Sequence, residues 1–436
     1  MLDALDLREL LGDELVQRKE SGYDVFGLSA EVQAAVENPE SSPREIERLY
    51  NDLDGTHLRS GWAYEEPSAL EDILALAPGV ERGKKPSIGV LSDRVHAAWL
   101  GRCAGCNLGK PVEGGWGREK LRRYLEMCDA FPLSDYIPAL DPMPDGFVFN
   151  PSWKVATRGR VQGMARDDDT DYTMLALRIL EKYGPQFTSA DVGAEWLLAL
   201  PFDMVYTAER VAYRNLIYGL RPPSTASHHN PYREWIGALI RGDMFGYVLP
   251  GDPAAAARLA YNDAALSHTS NGIYGEMWAA ALVAAAFCSG SAQEALEAAL
   301  GVVPAQSRLA EAVRTTMDAH RTGASWDDTM ASMESRLAGY HWVHTINNAE
   351  VVAAALLWGG GDFSRTIGLA VEAGLDTDCT GATAGSVFGA LHGKAALPGH
   401  WVDPLENSMH SAIFGFEGVQ ITDLVGRTLL ASESLA

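Results

Sequence analysis

The stretch RDDDTDYTMLALRILEKYG, residues 166–184, sets four acids in five positions against an apolar run of helical spacing. Tyr172, Leu175, Ala176, Ile179, Leu180 and Tyr183 fall at i, i+3, i+4, i+7, i+8 and i+11, and Gly184 supplies the stop. The pattern predicts a buried helix whose mouth carries Asp167, Asp168, Asp169 and Asp171. One or two acids there interact well with the helix dipole. Four crowded carboxylates raise one another's pKa and repel unless something positive stands among them.

A second acidic turn lies about 200 residues later, in GLDTDCTGATAGSVFGALHG (374–393). Asp376 and Asp378 are two apart, and on a regular helix they would point to nearly opposite faces. Both aim at one point only from a turn just ahead of the helix, which Gly374 and Gly381 favour. Two such turns facing each other make the oxygen-rich cage that Mg²⁺ or Mn²⁺ prefers. Zinc would call for His and Cys, and the single CxxC of Cys103 and Cys106 has no second pair to complete a site.

The rest of the chain reads as helices joined by loops. In SSPREIERLYNDL, Ser42 is placed as N-cap and Pro43 as first helical residue. LSDRVHAAWLGRCAG is expected to start a helix at a Ser92/Asp93 cap, and NAEVVAAALLW (348–358) and ATAGSVFGALHG (382–393) are further helices. Period-2 alternation and repeats of 20–50 residues are absent, so the fold class is all-α. APGVERGKKPSIG (77–89) is a seam, dividing a helical N-terminal extension (1–85) from a main all-α domain (86–436). GLRPPSTASHHNPYREW (219–235) is a loop.

With 436 residues, 47% hydrophobic and 21% charged, the composition is globular. A net charge of −23 argues against nucleic acid or an anionic membrane as partner. Five scattered cysteines make no disulfide framework and suit a reducing compartment. MLDALDLREL is acidic where a signal peptide is basic, and the apolar run MWAAALVAAAFC (277–288) is too short to span a bilayer. A cytoplasmic location is expected.

Three motifs in order, WLGRCAGCNLGKPVEG (99–114), DDDTDYTMLAL (167–177) and GLDTDCTGATAGSVFGALHG, give residues 90–400 a resemblance to the ADP-ribosylglycohydrolase family. The resemblance implies a compact orthogonal multi-helix bundle, a centre of one or two Mg²⁺ (or Mn²⁺) ions, and hydrolysis of an N- or O-glycosidic bond at the anomeric carbon of an ADP-ribose conjugate. It carries metal-ligand roles onto Asp168, Asp169, Asp376 and Asp378 and places Glu113 near the ribose. Glu113, Asp168 and Asp169 are the candidates for the catalytic carboxylate. Asp167 stands where the family has a ligating threonine, and Cys379, a soft residue, replaces a second one. Asp167 or Thr380 is then the substitute ligand. By position in the family's substrate loops, Asn107, Arg241, Asp243, His268, Asn271, Gly272, His344 and Asn347 are expected to line the substrate pocket.

Three other readings compete. A ribosyl hydrolase of a small nucleotide, nucleoside or NAD-derived metabolite keeps the fold and changes the substrate. A class I terpene or prenyl synthase would use Asp167, Asp168 and Asp171 as a DDxxD motif, but its second metal motif fails at NDAALS (262–267) and DDTMAS (327–332). A non-catalytic binder on the same fold has no use for so many mutually repelling carboxylates.

Overall fold

The computed structural model describes residues 6–435; residues 1–5 and 436, the outermost parts of the two expected domains, lie outside the described residues. The described chain is 62% helical with 22 helices and a single two-residue strand pair, Ser408–Met409 against Val419–Gln420. This is the all-α class, in the bundle architecture that the resemblance implied. No helix among the described residues is long and apolar enough to cross a membrane.

The centre of the bundle is an antiparallel pair, Ile88–Gly109 and Thr377–His392. Their backbones touch because the facing positions carry almost no side chain. A Cβ on Gly101 would stand 2.2 Å from the Gly385 carbonyl oxygen, one on Gly105 1.9 Å from that of Gly381, and one on Gly109 2.1 Å from that of Thr377. The step of four residues keeps these glycines on one stripe of the helix. The consequence is positional: the end of the first helix, which runs into Lys110 and Glu113, is held against the beginning of the second, which carries Asp376 and Asp378.

Helix boundaries follow the chemistry of the caps. Pro43–Asp54 begins on Ser42, whose side chain accepts the Glu45 N–H, as expected. Asp168–Tyr183 ends at Gly184 with φ 64°, a backbone that favours glycine. The helix expected to begin at Ser92/Asp93 instead begins at Ile88, with Ser87 at the cap position. Asp93 is therefore inside it, and its carboxylate accepts the Lys394 N–H from across the bundle at 3.0 Å.

The N-terminal helices Leu7–Glu20, Phe26–Glu37 and Pro43–Asp54 gather around Leu10, Leu11, Val32, Leu49 and Leu53, and Val211 of the main body joins that cluster. Two arginines fasten this layer. Arg233 holds the Glu14 carboxylate through both terminal nitrogens at 2.6 and 2.9 Å. Arg308 holds Glu234 at 2.8 and 2.9 Å, Glu66 at 2.8 Å and the Glu20 carbonyl at 3.1 Å. Paired, planar donors of this kind make the strong, orienting form of the ion pair. The seam at 77–89 is extended chain up to residue 87, tied to the core by Gly79 N–H to Gly301 and Gly83 N–H to Gly251.

Glu20 sits at the seat of that layer, among Glu234, Arg308 and His344. Burial first, and then the Glu234 charge, push its carboxyl up to about 8, with Arg308 opposing. His344, whose ring burial pushes it down to about 3, stays neutral there. The folded chain thus keeps the Glu20 proton that the unfolded chain releases near 4.5, and stability falls as pH rises through that window toward about 8. We expect Glu20→Gln to flatten the decline of melting temperature between about pH 5 and about pH 8. An unchanged slope would show that this carboxyl does not govern it.

Candidate metal centre

The two acidic turns meet. Glu113, Asp376 and Asp378 each offer an oxygen within 4.8 Å of the others, and Asp169, Asp378 and Cys379 form a second such group. Asp376 is the residue just ahead of its helix and Asp378 lies in the first turn, so the two-residue spacing converges as expected. Both helix N-termini, at Asp168 and Thr377, bring their positive dipole ends to the carboxylates.

The four acids of 167–171 do different work. Asp167 caps its helix by accepting the Asp169 N–H at 3.0 Å, and its other oxygen is ion-paired with the buried Lys110 ammonium. Asp171 turns away, held by Arg166 at 2.7 Å and by the Ser411 hydroxyl at 2.6 Å. A DDxxD motif needs that third aspartate in the cage, so the synthase reading loses its first motif as well. Asp168 and Asp169 remain. Asp169 has one oxygen 3.4 Å from Arg102, and the other is buried with no hydrogen-bond partner. Burial, opposed by Arg166 and reinforced by Asp378, leaves the Asp168 carboxyl at about 6.

Glu113 follows the short turn Lys110–Val112, and the Asn150 side-chain amide donates to it at 2.9 Å. The Asp378 charge is the leading cause that pushes its carboxyl up to about 9, followed by burial and Asp168. Asp376 is pushed well up by burial and by Asp378, and one of its oxygens is buried and unpartnered. The Asn348 side-chain oxygen accepts the Asp376 N–H at 3.1 Å and so fixes the turn.

The positive groups are Arg102 and Lys110. The Arg102 guanidinium lies fully buried beneath the first acidic turn and donates to the Asp169 carbonyl at 2.7 Å, the Ile240 carbonyl at 2.5 Å and Asp243 at 2.8 Å. Neither was singled out from sequence, although Arg102, Cys106 and Lys110 stand at i, i+4 and i+8 in the first motif. That spacing puts them on one face, and Cys106 does approach Asp167 and Asp169. All five cysteines are free thiols.

The residues expected to line the substrate pocket are buried and make contacts inside the protein. Asn107 is wholly buried, donating to the Gly163 carbonyl and accepting the Ala165 N–H, so it shapes the approach to the acidic turn. Arg241, 1% exposed, is ringed by Glu209, Asp263 and Glu276 between the Tyr172 and Trp196 rings. Asp243 pairs with Arg102. His268 is buried against the Ser267 hydroxyl at 2.8 Å. Asn271 donates to Glu234, and a Cβ on Gly272 would meet the Arg233 carbonyl at 2.3 Å. His344 caps its own helix, and Asn347 donates to the His341 carbonyl. These side chains all have internal partners, while Asp243 Oδ1, His268 Nε2 and His344 Nε2 are buried without one. The Thr380 hydroxyl likewise donates to the Asp376 and Ala370 carbonyls.

The donor set fits a hard divalent cation. The carboxylates come from three segments, Asp169 and Asp376 retain buried unpartnered oxygens, and Arg102, Lys110 and Arg166 offset only part of their mutual repulsion. The Glu113, Asp376 and Asp378 group is all oxygen. In the other group the Cys379 thiol, pushed well up by burial, is a neutral soft donor.

Residues 88–434 match the family model described as ADP-ribosylglycohydrolase. No curated protein matches the chain. Among solved structures, the chain is similar to one described as an ADP-ribosylglycohydrolase-related protein complex. The two are 20% identical, the alignment covers 80% of this chain and 99% of the other, and the TM-score is 0.42.

Proposed function

Because the chain belongs to the ADP-ribosylglycohydrolase family, a family of hydrolases acting on glycosidic bonds, we propose that its acidic cage holds Mg²⁺ or Mn²⁺ and cleaves a ribosyl bond at the anomeric carbon. The observation that carries this reading is the convergence of Glu113, Asp376 and Asp378, from distant parts of the chain, within 4.8 Å. These three carboxylates would hold the ion, with Asp169 at its edge. A bound divalent ion lowers the pKa of a coordinated water and orients ribose hydroxyls.

The chain's own groups do the rest. Asp168 is half-buried at the mouth with no side-chain hydrogen-bond partner among the described residues, which suits it to accept a proton from the attacking water. Glu113, steadied by Asn150, is placed to accept a hydrogen bond from a ribose hydroxyl. As the leaving group departs, the anomeric carbon gains positive character, which the surrounding carboxylates stabilise. Lys110 and Arg102 hold the first acidic turn in position throughout.

The test is a hydrolysis panel of ADP-ribosyl-arginine and -serine peptides, O-acetyl-ADP-ribose, NAD and simple nucleosides, with metal and with chelator. We expect turnover of at least one substrate, and a loss of at least about a hundredfold when the metal is removed. No turnover on any of them with metal bound would overturn the hydrolase reading.

A further inference from the structure

The two acidic turns carry two sets of donors of different chemistry. Glu113, Asp376 and Asp378 present oxygen alone, whereas Asp169, Asp378 and Cys379 present two oxygens and a sulfur, again within 4.8 Å of one another. Asp378 belongs to both sets, so one carboxylate stands between two places for a cation. In the second set Asp169 is 1% exposed, and its Oδ2 is buried with no hydrogen-bond partner. Leaving such an oxygen open is costly, and a cation seated against it removes the cost.

The oxygens that could take the place of the sulfur are committed elsewhere. Asp167 accepts the Asp169 N–H at 3.0 Å and is ion-paired with Lys110. The hydroxyls of Thr170, Thr377 and Thr380 donate to the backbone carbonyls of Asp167, Gly109 and Asp376 at 3.2, 2.9 and 2.9 Å. Cys379, in the first turn of the helix Thr377–His392 and 8% exposed, is the donor that remains. A second sulfur, that of Cys106, approaches Asp167 and Asp169, but there the Lys110 ammonium already supplies the positive charge.

Resting on the reading of the cage as a divalent-metal centre, we propose that Cys379 is a metal ligand and that the centre holds two unlike ions. A hard ion such as Mg²⁺ belongs among Glu113, Asp376 and Asp378. A borderline ion of the Fe²⁺, Co²⁺ or Zn²⁺ kind belongs among Asp169, Asp378 and the Cys379 thiolate. Thiolate sulfur bonds poorly to Mg²⁺ and well to these cations, so one sulfur atom sets the preference of its place. As the sulfur–metal bond forms, the thiol proton is released to solvent. The Arg102 guanidinium, 3.4 Å from the Asp169 carboxylate, and the sharing of Asp378 moderate the negative charge that the thiolate adds.

Cobalt titration of the metal-free full chain, carrying Cys288→Ser to remove the exposed thiol, tests this directly. With Mg²⁺ present to fill the all-oxygen place, Co²⁺ should raise a sulfur-to-cobalt charge-transfer band in the near ultraviolet. Zn²⁺ should erase that band, and a large excess of Mg²⁺ should leave it. Cys379→Ser, close in shape, should abolish the band and weaken Co²⁺ binding by at least about tenfold. Cys103→Ala, a buried thiol outside both donor sets, should keep the band and the affinity. X-ray absorption at the zinc edge of the Cys288→Ser chain needs no change at the centre and should find one sulfur among oxygens. Co²⁺ binding without a band, a band that survives Cys379→Ser or yields to Mg²⁺, or a zinc shell without sulfur overturns the assignment. If Mg²⁺ or Mn²⁺ then still binds and a ribosyl conjugate is still cleaved, the reading of the cage stands without it. If no divalent ion binds, that reading falls as well.

Discussion

Asp378→Asn is expected to lower divalent-metal affinity by at least about a hundredfold while making the metal-free protein more stable by roughly 1–2 kcal/mol. Asp378 belongs to both carboxylate groups of the cage. Its charge is the leading cause of the rise at Glu113 and contributes to the rises at Asp168, Asp169 and Asp376. Asparagine has the same shape and keeps the oxygen that accepts the Cys379 N–H at 3.0 Å, so the helix start survives. What disappears is a formal charge that repels four neighbours in the absence of a cation and attracts the cation when it is present. Titration calorimetry with Mn²⁺ and scanning calorimetry of the apo form read the two effects separately. Unchanged affinity would place the metal elsewhere. A less stable apo protein would mean that the carboxylate is compensated internally, and that the cage does not need an ion.

The carboxylate half of this centre was legible because clustered charge at a helix mouth is a local anomaly. Asp168, Asp169, Asp376 and Asp378 stand out in stretches of five residues, and Gly374 and Gly381 mark the bend. The compensating half was not. Arg102 and Lys110 lie more than fifty residues from the turn they neutralise, on a helix whose apolar stripe already accounts for it. The loop residues are ambiguous in sequence for a related reason. His268, Asn271 and His344 look like pocket liners beside glycines, yet a polar side chain reads the same whether its partner is a ligand or a buried backbone group. Residues 1–85 supplied the missing information, since Glu14 and Glu66 meet Arg233 and Arg308 only after the chain has folded back. Nothing periodic in that segment announces which surface it will cover. The helix expected at 382–393 is rich in alanine and glycine, residues that permit close packing. Its partner, the glycines of the first motif, could be identified only with the two helices side by side.

Gly105→Ala tests whether that close packing is what assembles the site. The new Cβ would lie 1.9 Å from the Gly381 carbonyl oxygen, 2.4 Å from its carbon and 3.0 Å from the Ala382 nitrogen. All three are backbone atoms, so no rotamer change relieves the clash. Even a close carbon–oxygen contact of about 3.3 Å needs the helices to move apart by roughly 1.4 Å. In a close-packed interior this separation opens voids along the whole pair, and we expect a loss on the order of 4 kcal/mol. The same movement draws Glu113 away from Asp376 and Asp378, so metal affinity should fall even in molecules that remain folded. Gly426→Ala is the matching control. It lies inside the Ile421–Ser434 helix with no atom within 4 Å of the added methyl, and there alanine should stabilise by about 1 kcal/mol. Denaturant unfolding of both variants, each with and without Mn²⁺, separates helix propensity from contact distance. A tolerated Gly105→Ala with native metal affinity would mean that the two helices are not the clamp that brings the acidic turns together.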